Sequence, residues 1–263
     1  MSKISAYIIA YNQIEKIVPA ITSVSWANEV VVVDSNSTDG TTAAAEKLGA
    51  RVVQVPFNGF GDLRNQAIAA CKHEWIFSLD SDERCTPATR DEILQIIHSH
   101  DAVDIYYVPR KNYFMGRWIK HSGWYPDYRQ PQLFRKSCLE YEPDPVHESF
   151  VTHTLNPVGY LKNPIWQIPF RDLSEMMHKA NRYSTLGLFR LEKKYGKASM
   201  ISAITHTAWT FIKHYFLQRG FLDGWPGLVI AMGHSYGAFY RYAKFYEKEK
   251  AWPMEPLFME KEK

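Results

Sequence analysis

The chain has 263 residues, 46% of them hydrophobic and 22% charged, enough for one large domain or a domain with a substantial appendage. No low-complexity tract points to disorder, no uncharged apolar run reaches the roughly 18 residues of a transmembrane helix, and three cysteines without a signal peptide point to a reducing cytosol. The net charge of +3 divides unevenly: residues 1–170 carry 16 Lys+Arg against 19 Asp+Glu, and residues 171–263 carry 15 against 9.

Ile4 to Ala10 reads as a short apolar strand ending at Tyr11 and Asn12. A helix follows from about Glu15 to Ser25, with Ile17, Ile21 and Val24 on one face. Glu29 to Val33 (E-V-V-V-V), with four β-branched valines, ends at Asp34 and reads as another strand. Ser37, Thr38, Asp39 and Gly40 mark a loop and helix start, because short polar side chains cap exposed amides. The helix Thr41 to Leu48, the strand Arg51 to Val55 and a helix from about Asp62 to Cys71 come next. The strand W-I-F-S-L then runs from Trp75 into D-S-D-E at Asp80 to Glu83. Regular alternation of strand and helix predicts an α/β fold with a mostly parallel sheet and right-handed crossovers. Tyr11, Asn12, Asp34, Asp39, Asp80 and Asp82 all follow strands, so they are expected along one edge of that sheet.

Open α/β sheets bind ligands outside the carboxyl ends of their strands. Three carboxylates gathered there repel one another and are costly to desolvate. A divalent cation relieves both problems, and hard oxygen donors suit Mg2+ or Mn2+, above all when a diphosphate supplies the other oxygens. A solvated acidic turn capping the next helix is the alternative. Neither G-x-G-x-x-G nor G-x-x-x-x-G-K-[ST] occurs, so a nucleotide bound here is held by side chains and metal rather than by a glycine cradle.

Four segments, A-Y-I-I-A-Y-N at 6–12, V-V-V-D-S-N-S-T-D-G-T at 31–41, L-R-N-Q-A at 63–67 and W-I-F-S-L-D-S-D-E at 75–83, resemble glycosyltransferase family 2. The resemblance implies a GT-A fold, Rossmann-like with a mostly parallel sheet between helices, and a nucleotide-sugar donor. R-K-N-Y-F-M-G-R-W-I-K-H-S-G-W-Y-P-D at 110–127, P-V-H-E at 145–148 and K-A-N-R-Y-S at 179–184 look closest to the lipopolysaccharide inner-core β-1,4-glucosyltransferases of the WaaE/LgtF type. Those enzymes transfer glucose from UDP-glucose to a heptose. One loop departs from the common family pattern V-D-D-G-S-T-D-G-T: Ser35 and Asn36 replace its second aspartate and its first glycine.

By this resemblance Tyr11 and Asn12 border the nucleoside, while Asp34 and Asp39 bond the ribose or the uracil edge. Arg64 approaches the uracil or the diphosphate, for which its forked guanidinium is suited. Asp80 and Asp82 place the metal on the diphosphate, Asp82 directly and Asp80 nearer the ribose, with Glu83 in support. Inverting transfer also needs a base on the acceptor side. Glu148 in P-V-H-E is the first choice, with Asp127 and Asp144 as rivals and His147 as a metal or phosphate partner. Trp124, Tyr125 and Arg129 are candidate acceptor contacts, through ring stacking and phosphate pairing.

From Leu173 the apolar period becomes helical, with further helices from about Ser199 to Gln218 and from Pro226 towards Tyr246. The expected organisation is a nucleotide-sugar-binding and catalytic domain over residues 1–170 and a helical, basic, aromatic region over 171–263. That region reads as a helical bundle with peripheral attachment to an anionic membrane, where tryptophan, tyrosine and cations are at home. Nucleic-acid binding lacks any motif. The expected enzyme is thus cytoplasmic, held at the cytoplasmic face of the inner membrane, and adds hexose to lipid-linked lipopolysaccharide core. Other acceptors (a polyprenyl phosphate, another glycan, a peptide), a non-catalytic sugar-nucleotide binder and a nucleotidyltransferase are the rival classes.

Overall fold

The computed structural model describes residues 2–142, 149–188, 191–192, 197 and 199–252. They fall into two units, Met1–Lys120 with Trp124–Pro169, and His121–Gly123 with Phe170–Lys263.

The first unit opens as an alternation of β1 (Ile4–Ala10), α1 (Ile14–Val24), β2 (Glu29–Asp34), α2 (Thr41–Lys47), β3 (Arg51–Gln54), α3 (Phe60–Ala70) and β4 (Trp75–Asp80). A tight turn leads into β5 (Glu83–Arg84), and α4 (Pro87–His98) follows, capped by the Thr86 side chain with proline in its first turn. Short strands complete the unit: β6 (Ile105–Tyr107), β7 (Arg110–Phe114), β8 (Arg117–Trp118), β9 (Pro131–Arg135), β10 (Leu139–Tyr141), β11 (Phe150–Thr152), β12 (Gly159–Tyr160) and β13 (Ile165–Gln167).

The main sheet has seven strands in the order β12-β6-β9-β4-β1-β2-β3. β3, β2, β1 and β4 run parallel, β9 is antiparallel to both β4 and β6, and β12 is parallel to β6. Both faces are covered, so its central strands are apolar on both sides. Ile4, Ala6 and Ile8 of β1 join one core with Trp75 and Phe77, whereas Tyr7 and Ile9 join the other with Val31, Val33 and Phe134. A second sheet, β5-β13-β7-β8, begins one residue after Asp82 and brings β7 beside β13, and β13 beside β5. Cys71, Cys85 and Cys138 are buried free thiols, and burial pushes those of Cys71 and Cys85 up to about 12.

The second unit holds α5 (Leu173–Leu186), α6 (Met200–Ile212) and α7 (Trp225–Lys250). α6 passes into a π-helical turn, Lys213–Leu217, and a 3-10 turn, Gly220–Asp223, before α7 starts. α7 packs on both other helices. His206 stacks on Tyr242 and His214 on His234, with ring centroids 4.4 and 4.2 Å apart. Lys244 Nζ donates to Asn181 Oδ1 at 2.6 Å and to Ser184 Oγ at 2.8 Å, joining α7 to α5. Among the described residues no helix is long and apolar enough to cross a membrane.

Candidate active site

The loops after β1 and β2 are stitched together at the carboxyl edge of the sheet. Asn12, at φ 50°, donates its backbone N–H to Ser37 Oγ at 2.7 Å and accepts from the Thr38 amide at 2.9 Å. The Gln13 amide donates to Thr41 Oγ1 at 2.8 Å. Asp39 accepts from the Ile14 amide at 3.0 Å and the Thr41 amide at 3.0 Å, so it caps the start of α1 as well as its own loop. Burial opposes ionisation of Asp39, but the Thr41 hydroxyl and these amides outweigh it and hold its carboxyl below the usual range.

Asp34 lies beneath this edge with no exposed surface. It accepts from the Ser37 amide at 2.8 Å, from the Ser37 hydroxyl, and from Thr42 Oγ1 at 3.2 Å. Asp34 is thus a hub for the loop that the resemblance places against the ribose or the uracil edge. Asn36, where the common family pattern has glycine, sits at φ 61°, a left-handed conformation that asparagine adopts more readily than most residues. Tyr11 projects from the same edge with 56% of its surface exposed.

The turn after β4 builds the acidic corner. Asp80 keeps 28% of its side chain exposed and pairs with Arg64 Nη2 at 2.9 Å. Arg64 itself is 2% exposed and also reaches Ser78 Oγ at 3.4 Å, while its guanidinium lies over the Tyr141 ring. The buried guanidinium of Arg64 thus supports Asp80, at the same corner where the resemblance expects it to approach the uracil or the diphosphate. Burial works against ionisation of Asp80, yet Arg64 and then Arg110 outweigh it and keep its carboxyl below the ordinary range.

Asp82 is partly exposed, and its Oδ1 accepts from Gln167 Nε2 at 3.2 Å. Glu83 turns inward and is fully buried. Its oxygens accept from Arg110 Nε at 2.5 Å, Gln132 Nε2 at 2.9 Å and the Asp80 amide at 2.9 Å. Burial pushes the Glu83 carboxyl up to about 7, against the pull of Arg110 and with the help of Asp80 and Asp82. Arg110, Gln132 and Gln167 are site residues that no local motif marks. The one available signal was the alternation of R-K-N-Y-F, which buries Arg110, Asn112 and Phe114.

Among the described residues no three His, Cys, Asp or Glu side chains converge to hold a metal. Two partly exposed carboxylates, Asp80 and Asp82, nevertheless suit a hard cation that takes its remaining ligands from diphosphate and water, the usual mode for Mg2+. Asp144, His147 and Glu148 lie outside the described residues, so the rival base and metal assignments that fall on them carry no geometry.

The candidate acceptor side is built on β7. Asn112 Nδ2 donates to the Trp124 carbonyl at 2.9 Å, and Arg110 pairs with Asp127 as an antiparallel bridge. Asp127, 12% exposed, pairs with Arg129 Nε at 2.9 Å. Trp118 meets Tyr125 edge to face at 5.1 Å, and the Lys111 and Lys120 ammonium groups lie over the Trp118 ring at 4.5 and 4.8 Å. Tyr125 is 38% exposed and Arg129 62%. Tyr160 extends the aromatic surface by stacking on Tyr107 and meeting Tyr128 edge to face. The structure thus brings Trp124, Tyr125, Asp127 and Arg129 together through β7.

A family model for glycosyl transferase family 2 matches residues 5–156. An uncharacterized glycosyltransferase of Rickettsia bellii is 32% identical over 254 residues, 93% of this chain and 86% of the relative. The lipopolysaccharide core biosynthesis glycosyltransferase LpsC of Rhizobium meliloti is 28% identical over 259 residues, 93% of this chain and 92% of the relative. Residues 1–349 of S. aureus TarS share the fold at a TM-score of 0.51 and 15% identity, covering 96% of this chain and 93% of that one. The parallel sheet, the acidic turn closing β4 and these matches have one reading: this chain belongs to glycosyltransferase family 2 and is a glycosyltransferase.

Proposed function

We propose that the enzyme transfers glucose from UDP-glucose, with inversion, to a heptose of the lipopolysaccharide inner core. The observation that carries the donor side is the partly exposed Asp80–Asp82 pair beside the Tyr11–Asn12 edge. The resemblance at 110–127 and 145–148, together with the name of the LpsC relative, supports the acceptor. Residues 1–170 form the catalytic region and residues 171–263 the region that meets the acceptor and the cytoplasmic face of the inner membrane.

The uracil stacks on Tyr11, and the Asn12 and Asp39 loops border the nucleoside. Asp82 holds Mg2+ or Mn2+ directly, Asp80 stands beside the ribose, and Arg64 fixes Asp80. His147 stands next in line as a metal or phosphate partner. The cation, when bound, offsets the negative charge that grows on the departing UDP. Trp124 and Tyr125 pack on the acceptor sugar, and Arg129 meets an acceptor phosphate. Glu148 takes the proton of the acceptor hydroxyl as its oxygen bonds to the anomeric carbon, and the bond from that carbon to UDP breaks with its electron pair leaving on the phosphate. Asp127 is engaged by Arg129 and Asn112 and orients the 124–129 segment.

Mass and linkage analysis of the core oligosaccharide from a strain lacking the gene tests this reading. One hexose missing from a heptose is the expected result, restored by the purified enzyme with UDP-glucose. An unchanged core, or restoration by a different donor only, rejects the proposed substrates and leaves the family standing.

A further inference from the structure

From Met200 to Trp225 the second unit turns an unusual amount of apolar surface outward. Ile201, Ile204, Trp209 and Ile212 of α6 are 75%, 60%, 55% and 43% exposed. Ile201, Ile204 and Ile212 recur at helical spacing, on a face other than the one that carries buried Ala203. The surface continues through the two turns, where Phe216, Leu217, Phe221 and Leu222 are 54%, 62%, 47% and 51% exposed, and ends on Trp225 at 75%. Tyr215 links it, with ring centroids 5.1 Å from Phe216 and 6.3 Å from Phe221.

The turns are built, not loose. Asp223, 2% exposed, accepts from the His121 amide at 2.9 Å and pairs with His121 Nδ1 at 3.1 Å. The Ser122 amide donates to the Gln218 carbonyl at 2.9 Å. Gly220 and Gly227 approach so closely that a Cβ on Gly227 would stand 1.9 Å from the Gly220 oxygen. A framework this tight holds Phe221 and Leu222 outward on a fixed support.

Charge selects the occupant. Between Met200 and Trp225 the exposed formal charges are Lys213 and Arg219, both positive, and the one acid is the buried Asp223. We propose that this surface is a membrane-insertion site: Phe216, Leu217, Phe221, Leu222 and Trp225 enter the headgroup–acyl boundary of an anionic bilayer while Lys213 and Arg219 pair with lipid phosphates. Apolar rings rimmed by cations match that boundary, whereas a monomer in water seldom exposes so large a patch. The inference deepens the proposed lipid-linked acceptor and rests on that reading for its purpose.

The test is sedimentation of the full chain with phosphatidylcholine vesicles, with and without phosphatidylglycerol, at low and high salt, alongside UDP titration of the same preparations. The expected result is binding to anionic vesicles that weakens with salt. Lys213→Glu with Arg219→Glu lowers partitioning by roughly tenfold or more, on the scale of one fivefold factor per cation. Phe221→Ser, Leu222→Ser and Trp225→Ser together lower it by at least about tenfold. Because these three side chains are exposed, the variant keeps its thermal unfolding temperature and its UDP affinity. Absence of the wild type from anionic vesicles at low salt overturns the proposal. So does a triple variant that sediments like the wild type, or a wild-type dimer that the triple variant converts to monomer, which assigns the patch to a second copy. Vesicle binding without UDP binding keeps the surface and rejects the proposed UDP-sugar donor; UDP binding without vesicle binding does the reverse.

Discussion

Glu83 Oε1 and Arg110 Nε stand 2.5 Å apart with their side chains 0% and 2% exposed, an ion pair enclosed within the first unit. Glu83 also receives the Asp80 amide, so the pair holds the turn that carries Asp80 and Asp82. Arg110 opens β7, whose Asn112 holds the Trp124 carbonyl. One buried pair therefore connects the proposed donor corner to the proposed acceptor segment. A buried ion pair is weak evidence of net stability, but removing one partner leaves an uncompensated charge. Arg110→Met is expected to destabilise the protein by about 3–5 kcal/mol, and Glu83→Gln with Arg110→Met by less than the sum of the single changes. Denaturant unfolding of the double-mutant cycle reads the coupling; additive losses would reject it.

This pair also marks where the sequence stops being readable. The alternation of strands and helices up to Asp80 is written locally, in β-branched runs such as Glu29 to Val33 and in the helical spacing of Ile17, Ile21 and Val24, and the structure follows it within a residue or two. The carboxylates after β4 were legible for the same reason, since strand ends define the ligand edge of such a sheet. Arg110 lies 27 residues beyond Glu83, and an isolated arginine carries no mark of burial. β9 is hidden likewise, because its place between β4 and β6 depends on antiparallel pairing, with β4 across more than fifty residues. Nothing in L-R-N-Q-A marks Arg64 as buried against Asp80; that pairing is a tertiary fact.

Asp82→Asn and Arg64→Met separate direct from indirect action at the acidic corner. Asp82→Asn is expected to abolish the part of UDP affinity that depends on Mn2+ or Mg2+ and to lower turnover by roughly 10²–10³, the equivalent of several kcal/mol of lost leaving-group stabilisation. Arg64→Met leaves Asp80 without its main partner and weakens metal-dependent UDP binding while sparing Asp82. Titration calorimetry with and without metal checks both. Metal-dependent binding that survives in Asp82→Asn would move the ligand role elsewhere.

Glu148→Gln is expected to bind UDP-glucose as the wild type does and to lose turnover by about 10²–10⁴, the usual worth of a general base. Asp127→Asn serves as its control and is expected to raise the KM for acceptor more than it lowers kcat, because Asp127 is tied to Arg129 and Asn112. Steady-state kinetics with acceptor varied distinguishes them. A larger kcat loss in Asp127→Asn would transfer the base to that residue.

Glu29 gives the fold a pH dependence of known sign. Burial opposes its ionisation, but the Lys72 amide, Arg51 and Ser5 outweigh that and hold its carboxyl below the ordinary glutamate range. A depressed folded pKa contributes stability that is full above the unfolded pKa and is lost as pH falls through the folded one. Glu29→Gln is therefore expected to be less stable than the wild type by about 1–2 kcal/mol at neutral pH, with the gap closing below about pH 4.5. Thermal unfolding across acid pH measures it, and a gap that widens on acidification would contradict the sign.

Two glycines of α7 make opposite demands, and comparing them tests how tightly the turn before this helix is built. Gly227 faces the Gly220 oxygen at 1.9 Å from an ideal Cβ and the Asp223 Cβ at 3.1 Å, so Gly227→Ala forces backbone apart and is expected to cost about 1–3 kcal/mol. Gly237 has nothing within 4 Å of the same position, and alanine there relieves the entropy cost of glycine within a helix, so Gly237→Ala is expected to stabilise by up to about 1 kcal/mol. Differential scanning calorimetry of both variants gives the signs directly. Vesicle partitioning of Gly227→Ala, measured well below its unfolding temperature, adds the functional consequence: displacing Gly220 from Gly227 misaligns Phe221 and Leu222 and weakens binding, whereas Gly237→Ala leaves it unchanged.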